Sequence, residues 1–281
     1  MAGWSQAPRA KASGEVNLAE LPGRPLGTRT VAYQEKDAIL YALAVGAAAS
    51  ELDLVFERQL RVLPTFALTL GLWVADAVSE LGAFVPAEAL HGSQRLEAHG
   101  ALPRAGEVSV TGVVDSVWDT GRHAIIDVRA NSDWFTAVYS LVLLKRGGFG
   151  GPTPPRAAQP ARFSPAGSIT VMPQAAALYR LTGDRHLIHI DPAAAAAAGF
   201  DRPILHGLAT LGMTARHLAT QSGSHPADLR SLSARFVAPV FPGDQLDVKA
   251  ADGAFNVSAG DRTVLTGTVS YGSAAEQDEK T

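Results

Sequence analysis

The chain has 281 residues, 47% of them hydrophobic and 18% charged, with a formal net charge of -3. That is the composition of a soluble globular protein with a substantial core, and the slight negative charge argues against nucleic acid or an anionic membrane as the main partner. The absence of cysteine excludes disulfides, thiolate metal sites and a cysteine nucleophile, and it favours a cytoplasmic setting.

Residues 1–14 are polar and lack the apolar centre of a secretory signal. Apolar helical patterns follow over residues 36–49 and 65–81. The stretch 63–78 is the best membrane candidate, but Pro64 and Asp76 interrupt it and it is short for a span, so it reads as a buried helix. Residues 103–110 read as a Pro-Gly-acid turn entering a strand, with further strand-like runs at 124–128 and 137–144.

Residues 147–165 are dense in glycine and proline, so neither a helix nor a central strand can run through them; they read as a linker. Beyond it, Pro192 can start a helix, and residues 207–220 form a second helix with few polar positions. Residues 241–248 repeat the Pro-Gly-acid turn, and residues 254–258 and 263–269 read as strands. Gly106 and Gly243 lie 137 positions apart (243 minus 106), about one small domain. Helices followed by antiparallel strands, twice over, indicate an α+β fold. The expected organisation is an N-terminal unit over 1–146, the linker over 147–165, a C-terminal unit over 166–272 and a disordered tail over 273–281. That tail carries no peroxisomal address of the Ser-Lys-Leu type.

Chemistry concentrates in residues 179–192 and 204–208. Asp184 and His189 are a carboxylate and an imidazole five residues apart, near enough to hold one water between them. Gly207 sits at a predicted helix start, where free N–H groups can polarise a carbonyl. Taken singly, a Gly-Asp pair is often only a turn or cap and a lone histidine is more often structural. Together they are what hydration of an enoyl thioester requires. Asp191-Pro192 reads as a helix cap, and Arg185 as a solvated side chain. His99, His123, His217 and His225 lack partners at useful spacing and read as surface or structural residues. Neither a Gly-x-Gly-x-x-Gly fingerprint nor a P-loop is present, and no His/carboxylate set outside the active segment suggests a metal.

The Gly183-Asp184…His189 and His206-Gly207 segments resemble the signature of the MaoC-like, hydratase-2 family, Gly-Asp-x-Asn-Pro-(Leu/Ile)-His followed by His-Gly. The similarity extends over residues 20–272 to the two-part hydratase of peroxisomal multifunctional enzyme type 2 and its bacterial relatives. It is carried by residues 41–46, 63–66, 91–94, 147–151 and 234–243.

The resemblance implies a double hotdog, two units each with a long helix wrapped by an antiparallel sheet. The second unit would be catalytic and the first degenerate, accommodating the acyl chain. It further implies reversible syn hydration of trans-2-enoyl-CoA to (3R)-3-hydroxyacyl-CoA. Asp184 and His189 would share proton transfer, either serving as the base, and the Gly207 N–H would stabilise the thioester oxygen. His186, His91, Gly92, Phe236 and His206 would bind substrate. For His91 and Gly92 a turn between a helix and a strand is the competing reading, and for Phe236 a core position.

No metal and no cofactor beyond the CoA thioester substrate are implied, and the family habit is a homodimer. Two positions depart from the pattern: His186 replaces the family asparagine and Leu187 its proline. Thr120 also stands where relatives often carry a lysine that can meet a CoA phosphate. The alternatives are a dehydratase acting on acyl-carrier-protein substrates and a non-catalytic acyl-CoA-binding protein.

Overall fold

The computed structural model describes residues 16–84, 89–155 and 162–272. The tail at 273–281, residues 1–15 and part of the 147–165 run therefore lie outside the described residues.

Ten strands form one antiparallel sheet. Five come from the first half of the chain: β1 (Pro25–Tyr33), β2 (Ala89–Ala98), β3 (Gly106–Asp119), β4 (Ala124–Asn131) and β5 (Phe135–Leu143). Five come from the second: β6 (Ser164–Thr170), β7 (Leu229–Phe236), β8 (Gln245–Ala251), β9 (Ala254–Ala259) and β10 (Arg262–Tyr271). Their order across the sheet is β1-β3-β4-β5-β2-β7-β10-β9-β8-β6. Each half thus supplies five adjacent strands, and the halves meet where β2 pairs with β7, from Ser93 opposite Arg235 to Glu97 opposite Ser231.

The helices are α1 (Glu35–Ala44), α2 (Leu52–Val55), α3 (Ala67–Leu70), α4 (Trp73–Glu80), α5 (Ala175–Tyr179), α6 (Pro192–Ala197) and α7 (Gly207–Gln221). Helix α1 stops five residues before its apolar pattern does. Gly46 takes a left-handed φ of +86°, and the bonds Gly46 N–H to Leu43 O and Ala47 N–H to Ala42 O close a Schellman cap. The pattern over 65–81 is not one helix. A 3-10 turn at Pro64–Phe66 leads into α3, and the chain steps at Gly71 before α4 begins. Gly71 marks a close approach, since a Cβ there would lie 2.7 Å from the Tyr139 hydroxyl. By contrast α7 runs unbroken, with ten of its residues buried.

The core is continuous across both halves. Tyr41, Tyr139 and Tyr179 are fully buried at its centre, and the rings of Tyr41 and Tyr179 lie 5.9 Å apart where α1 packs on α5. The Gly147–Gly151 run folds around Asp119. Its carboxylate accepts N–H groups from Gly121 (2.7 Å), Gly148 (2.8 Å) and Gly150 (2.8 Å), and these bonds hold its pKa below the ordinary carboxylate value. A run that composition marks as a passive linker is therefore tied to the end of β3. Among the described residues, no helix is long and apolar enough to cross a membrane.

Candidate active site

The site begins where α5 ends. A 3-10 turn at Arg180–Thr182 runs into Gly183, whose φ of +143° turns the chain so that Asp184 enters the interior. The Asp184 carboxylate accepts the His186 N–H at 3.1 Å. His186 then caps the 3-10 turn Leu187–His189, its Nδ1 accepting the Ile188 N–H at 3.4 Å. An asparagine side-chain oxygen is also able to make this kind of bond, so the imidazole supplies a cap that the family residue could supply. Leu187 occupies the first position of that turn, where a proline is tolerated because no N–H is needed. Both departures from the family pattern are thus accommodated in the backbone. Asp191 caps α6 by accepting the Ala193 N–H at 2.9 Å, as expected.

His189 is 8% exposed, and its Nδ1 lies 2.9 Å from the Ile204 carbonyl. A carbonyl only accepts, so Nδ1 carries the hydrogen and Nε2 keeps its lone pair. His206, 1% exposed, donates from Nε2 to the Asp184 carbonyl at 3.1 Å, and its ring stacks on His189 with centroids 3.7 Å apart. It therefore stands behind the pair and fixes the Asp184 backbone, while its Nδ1 is buried without a partner.

Gly207 opens α7, and its N–H has no acceptor among the described residues. A Cβ at Gly207 would come within 3.1 Å of the Phe236 ring, and Phe236 in turn meets the edge of His91 with centroids 4.9 Å apart. His91 and Gly92 lie inside β2, at a register shift between His91 and Ser93, not in a turn. The helical and alternating signals both fail there because the shift interrupts the two-residue period. Gly92 is required by space: its Cβ would lie 2.5 Å from Val142 Cγ2. Phe236 ends β7 half-buried, packed against the core and facing the site at once. All eight residues selected from sequence thus form one contiguous group spanning both halves of the chain.

Ligating atoms of Asp184, His189 and His206 all lie within 4.8 Å of one another. Three such groups raise the question of a metal. However, the two rings stack with only 26° between their planes, so their in-plane lone pairs run side by side and do not converge on one ion. The spacing suits a water bridging Asp184 and His189 better. Beside His189 a cleft of about 250 Å³ opens, lined by Pro173, Ala176, Ile190, Arg202 and Pro203. Arg202 and Tyr179, whose ring packs 4.8 Å from His206, are site residues that sequence reasoning left unassigned. Tyr179 carries a signal only as part of the Tyr-Arg-Leu-Thr-Gly-Asp run.

The electrostatics divide the roles. Burial lowers the pKa of His189 and of His186, pushes His91 down to about 4 and His206 to about 3. Burial works against ionisation of Asp184, but His206, His189 and the His186 N–H outweigh it, and its pKa is lowered. At neutral pH the histidines are uncharged, so the amide bond from His186 is the lasting cause. The site at pH 7 holds a carboxylate beside a neutral imidazole.

The buried histidines also carry a stability prediction. A depressed folded pKa means the unfolded chain binds more protons, so stability is complete above about pH 6.5 and is lost as pH falls toward 4. The unfolding free energy measured in urea is expected to drop steadily across that window, by up to about 1.4 kcal/mol per pH unit for each histidine. The variant His91→Phe is expected to flatten the slope by about one proton. An unchanged slope would show that His91 protonates freely in the folded state.

Residues 155–275 match the MaoC like domain, and residues 31–135 match the MFE-2 hydratase 2 N-terminal domain. The chain is 37% identical to 3-hydroxyacyl-thioester dehydratase Y of Mycobacterium tuberculosis over 76% of its own length and 80% of that protein. It is 34% identical to enoyl-CoA hydratase ChsH3 of the same organism, over 83% and 88%. A solved MaoC-like dehydratase from Phytophthora capsici superposes with a TM-score of 0.81 at 25% identity, covering 92% of this chain and 99% of that one. A solved double hotdog from M. tuberculosis, at 16% identity and a TM-score of 0.56, covers 88% and 95% and speaks for the fold alone. The fold is a double hotdog. The chain belongs to the MaoC-like, hydratase-2 family.

Proposed function

We propose that the protein catalyses the reversible syn hydration of trans-2-enoyl-CoA to (3R)-3-hydroxyacyl-CoA, a hydro-lyase reaction. The observation that carries this reading is that ligating atoms of Asp184 and His189 lie within 4.8 Å of each other, beside the Gly207 N–H, which has no acceptor among the described residues. Water held by the pair adds through oxygen to C3 while one proton passes to the base. The π electrons of the double bond move toward the thioester carbonyl, and C2 then takes a proton on the same face. Asp184, ionised, and His189, neutral with Nε2 free, both start as bases, so the proton that C2 receives is the one the pair has just taken from the water, and the pair ends as it began. The Gly207 N–H stabilises the enolate-like oxygen, an effect worth about 3 to 4 kcal/mol in comparable oxyanion sites.

His206 acts through Asp184 as a positioning residue, while His91, Gly92, Phe236 and the His186 turn shape the substrate's place. The first unit, residues 1–146, serves the acyl chain, and the second, 166–272, carries the chemistry. No metal or cofactor enters the reaction beyond the CoA thioester itself. The relatives' names support CoA thioesters over carrier-protein substrates. Thr120 is locked in a turn, exchanging bonds of 2.9 and 3.0 Å with the His123 backbone, and supplies no charge to a CoA phosphate. The reading has the protein act as a homodimer in the cytoplasm, a setting its lack of cysteine suits.

The test is loss of enoyl-thioester absorbance across a panel of trans-2-enoyl-CoAs, with chiral analysis of the product. Formation of the 3R alcohol is expected. Tight binding of enoyl-CoA without any product would favour the acyl-CoA-binding alternative.

A further inference from the structure

Helices α4 and α7 occupy equivalent places in the two units. Matching Thr69-Leu70-Gly71 with Thr210-Leu211-Gly212 sets Ala75 opposite Arg216 and Asp76 opposite His217. The second unit is closed at this place. Arg216 reaches the Glu51 carboxylate at 2.8 and 2.9 Å and the carbonyls of Val45 and Gly46, filling the space beside the end of α1. His217 is likewise engaged, its Nε2 donating to the Ala166 carbonyl at 2.6 Å.

The first unit differs at both positions. The first unit carries the short, buried Ala75 where the second carries Arg216. Asp76 is half-buried in the middle of a helix whose other polar residues, Ser79 and Glu80, lie at its end, and among the described residues its carboxylate has no hydrogen bond or ion pair. Burial above all raises its pKa to about 7; the charges of Asp184, which lies within electrostatic reach, and of Glu80 add to this, and Arg29 works against it. One turn earlier on the same helix, Trp73 is 5% exposed with its indole N–H buried and unbonded. Arg29 covers the Trp73 ring at 4.6 Å and does not reach the carboxylate as an ion pair.

An acceptor and a donor, neither with a partner among the described residues, lie three residues apart on one face of a helix whose Asp76 is within electrostatic reach of Asp184. Neither contributes to the fold as it stands, because buried polar groups without partners destabilise it. A hydroxyl group satisfies both at once, donating to Asp76 and accepting from Trp73; a methylene satisfies neither.

We propose that Trp73 and Asp76 form a polar subsite in the acyl-chain space, making the preferred substrate an enoyl-CoA with a hydroxyl group on its acyl chain. The inference rests on the hydratase reading and deepens it. The experiment compares hydroxylated and unsubstituted enoyl-CoAs over a series of chain lengths and hydroxyl positions, in wild type, Asp76→Leu, Asp76→Asn and Trp73→Phe. Wild type is expected to favour one hydroxylated thioester by at least about tenfold in kcat/KM, since sites built to bond a hydroxyl reject analogues lacking it. Asp76→Leu is expected to reverse that preference, Asp76→Asn to keep most of it, and Trp73→Phe to reduce it. A wild-type ratio within twofold throughout the series, or an Asp76→Leu ratio equal to that of wild type, overturns the proposal.

Calorimetric binding of the corresponding saturated acyl-CoAs reads the subsite without turnover. Discrimination there with no hydration of any enoyl-CoA would sink the hydratase reading and leave the subsite standing. Hydration without discrimination does the reverse.

Discussion

Asp184→Asn is expected to lower kcat/KM for enoyl-CoA hydration by at least about a hundredfold, with thermal unfolding close to that of wild type. The substitution keeps the side chain's size, and one amide orientation still accepts the His186 N–H. What it removes is the negative charge and the capacity to take a proton. His189→Gln is expected to fall by a similar factor, because the amide can reach the Ile204 carbonyl but offers no basic nitrogen. Near-normal turnover in either variant would show that the pair is not the acid/base machinery. The acid limb of the kcat/KM profile should also lie below the ordinary histidine value, because burial lowers the pKa of His189 and the free base persists further into acid. Activity is thus retained on the alkaline side and lost as pH falls through that lowered value.

Gly267→Ala is expected to cost about 3 kcal/mol or more, a large share of the 5–15 kcal/mol that holds a domain together. Gly267 lies on β10, opposite Ala234 of β7 and Phe255 of β9. A Cβ there would sit 2.1 Å from the Ser233 carbonyl oxygen, 2.6 Å from Phe255 Cζ and 2.9 Å from Ala234 Cα. Two of these three are backbone atoms held in the sheet ladder, so no side-chain rotation relieves the clash. Either β10 separates from β7 or the Phe255 side of the core shifts. Because β7 ends at Phe236, the separation should also be felt at the site, raising KM in whatever fraction of the variant remains folded. Equilibrium urea unfolding measures the cost, and a change under about 0.5 kcal/mol would mean the strands accommodate the methyl group freely.

The candidate site residues were more legible than the elements that carry them. Asp184, His189 and Gly207 lie within 24 positions of one another, so local spacing alone exposes them, and the start of α7 falls at Gly207 as expected. Strands β8, β9 and β10 also announce themselves by a turn or by alternation. Strands β1, β2 and β6 do not. β1 and β6 are sheet edges with largely exposed residues, so no apolar period marks them. β2 carries His91, Gly92, Gln94 and Arg95 through a register shift, and its polar residues look like a loop. The break between α3 and α4 was hidden for another reason. Its cause, the Tyr139 hydroxyl against Gly71, comes from a residue 68 positions away (139 minus 71), beyond any local pattern. Asp76 was visible only as an interruption of an apolar run; that it faces Asp184 is a product of the fold.

The pairing of β2 with β7 brings His91 from one half against Phe236 from the other. When two such halves are separate polypeptides, the composite site exists only as often as they associate, and dilution takes it apart. Here each half meets its counterpart at an effective concentration fixed by the chain that joins them. Specific activity should then be indifferent to protein concentration down to the lowest that can be assayed, even where subunits of an oligomer part. The same tether releases the first half from having to match a copy of itself.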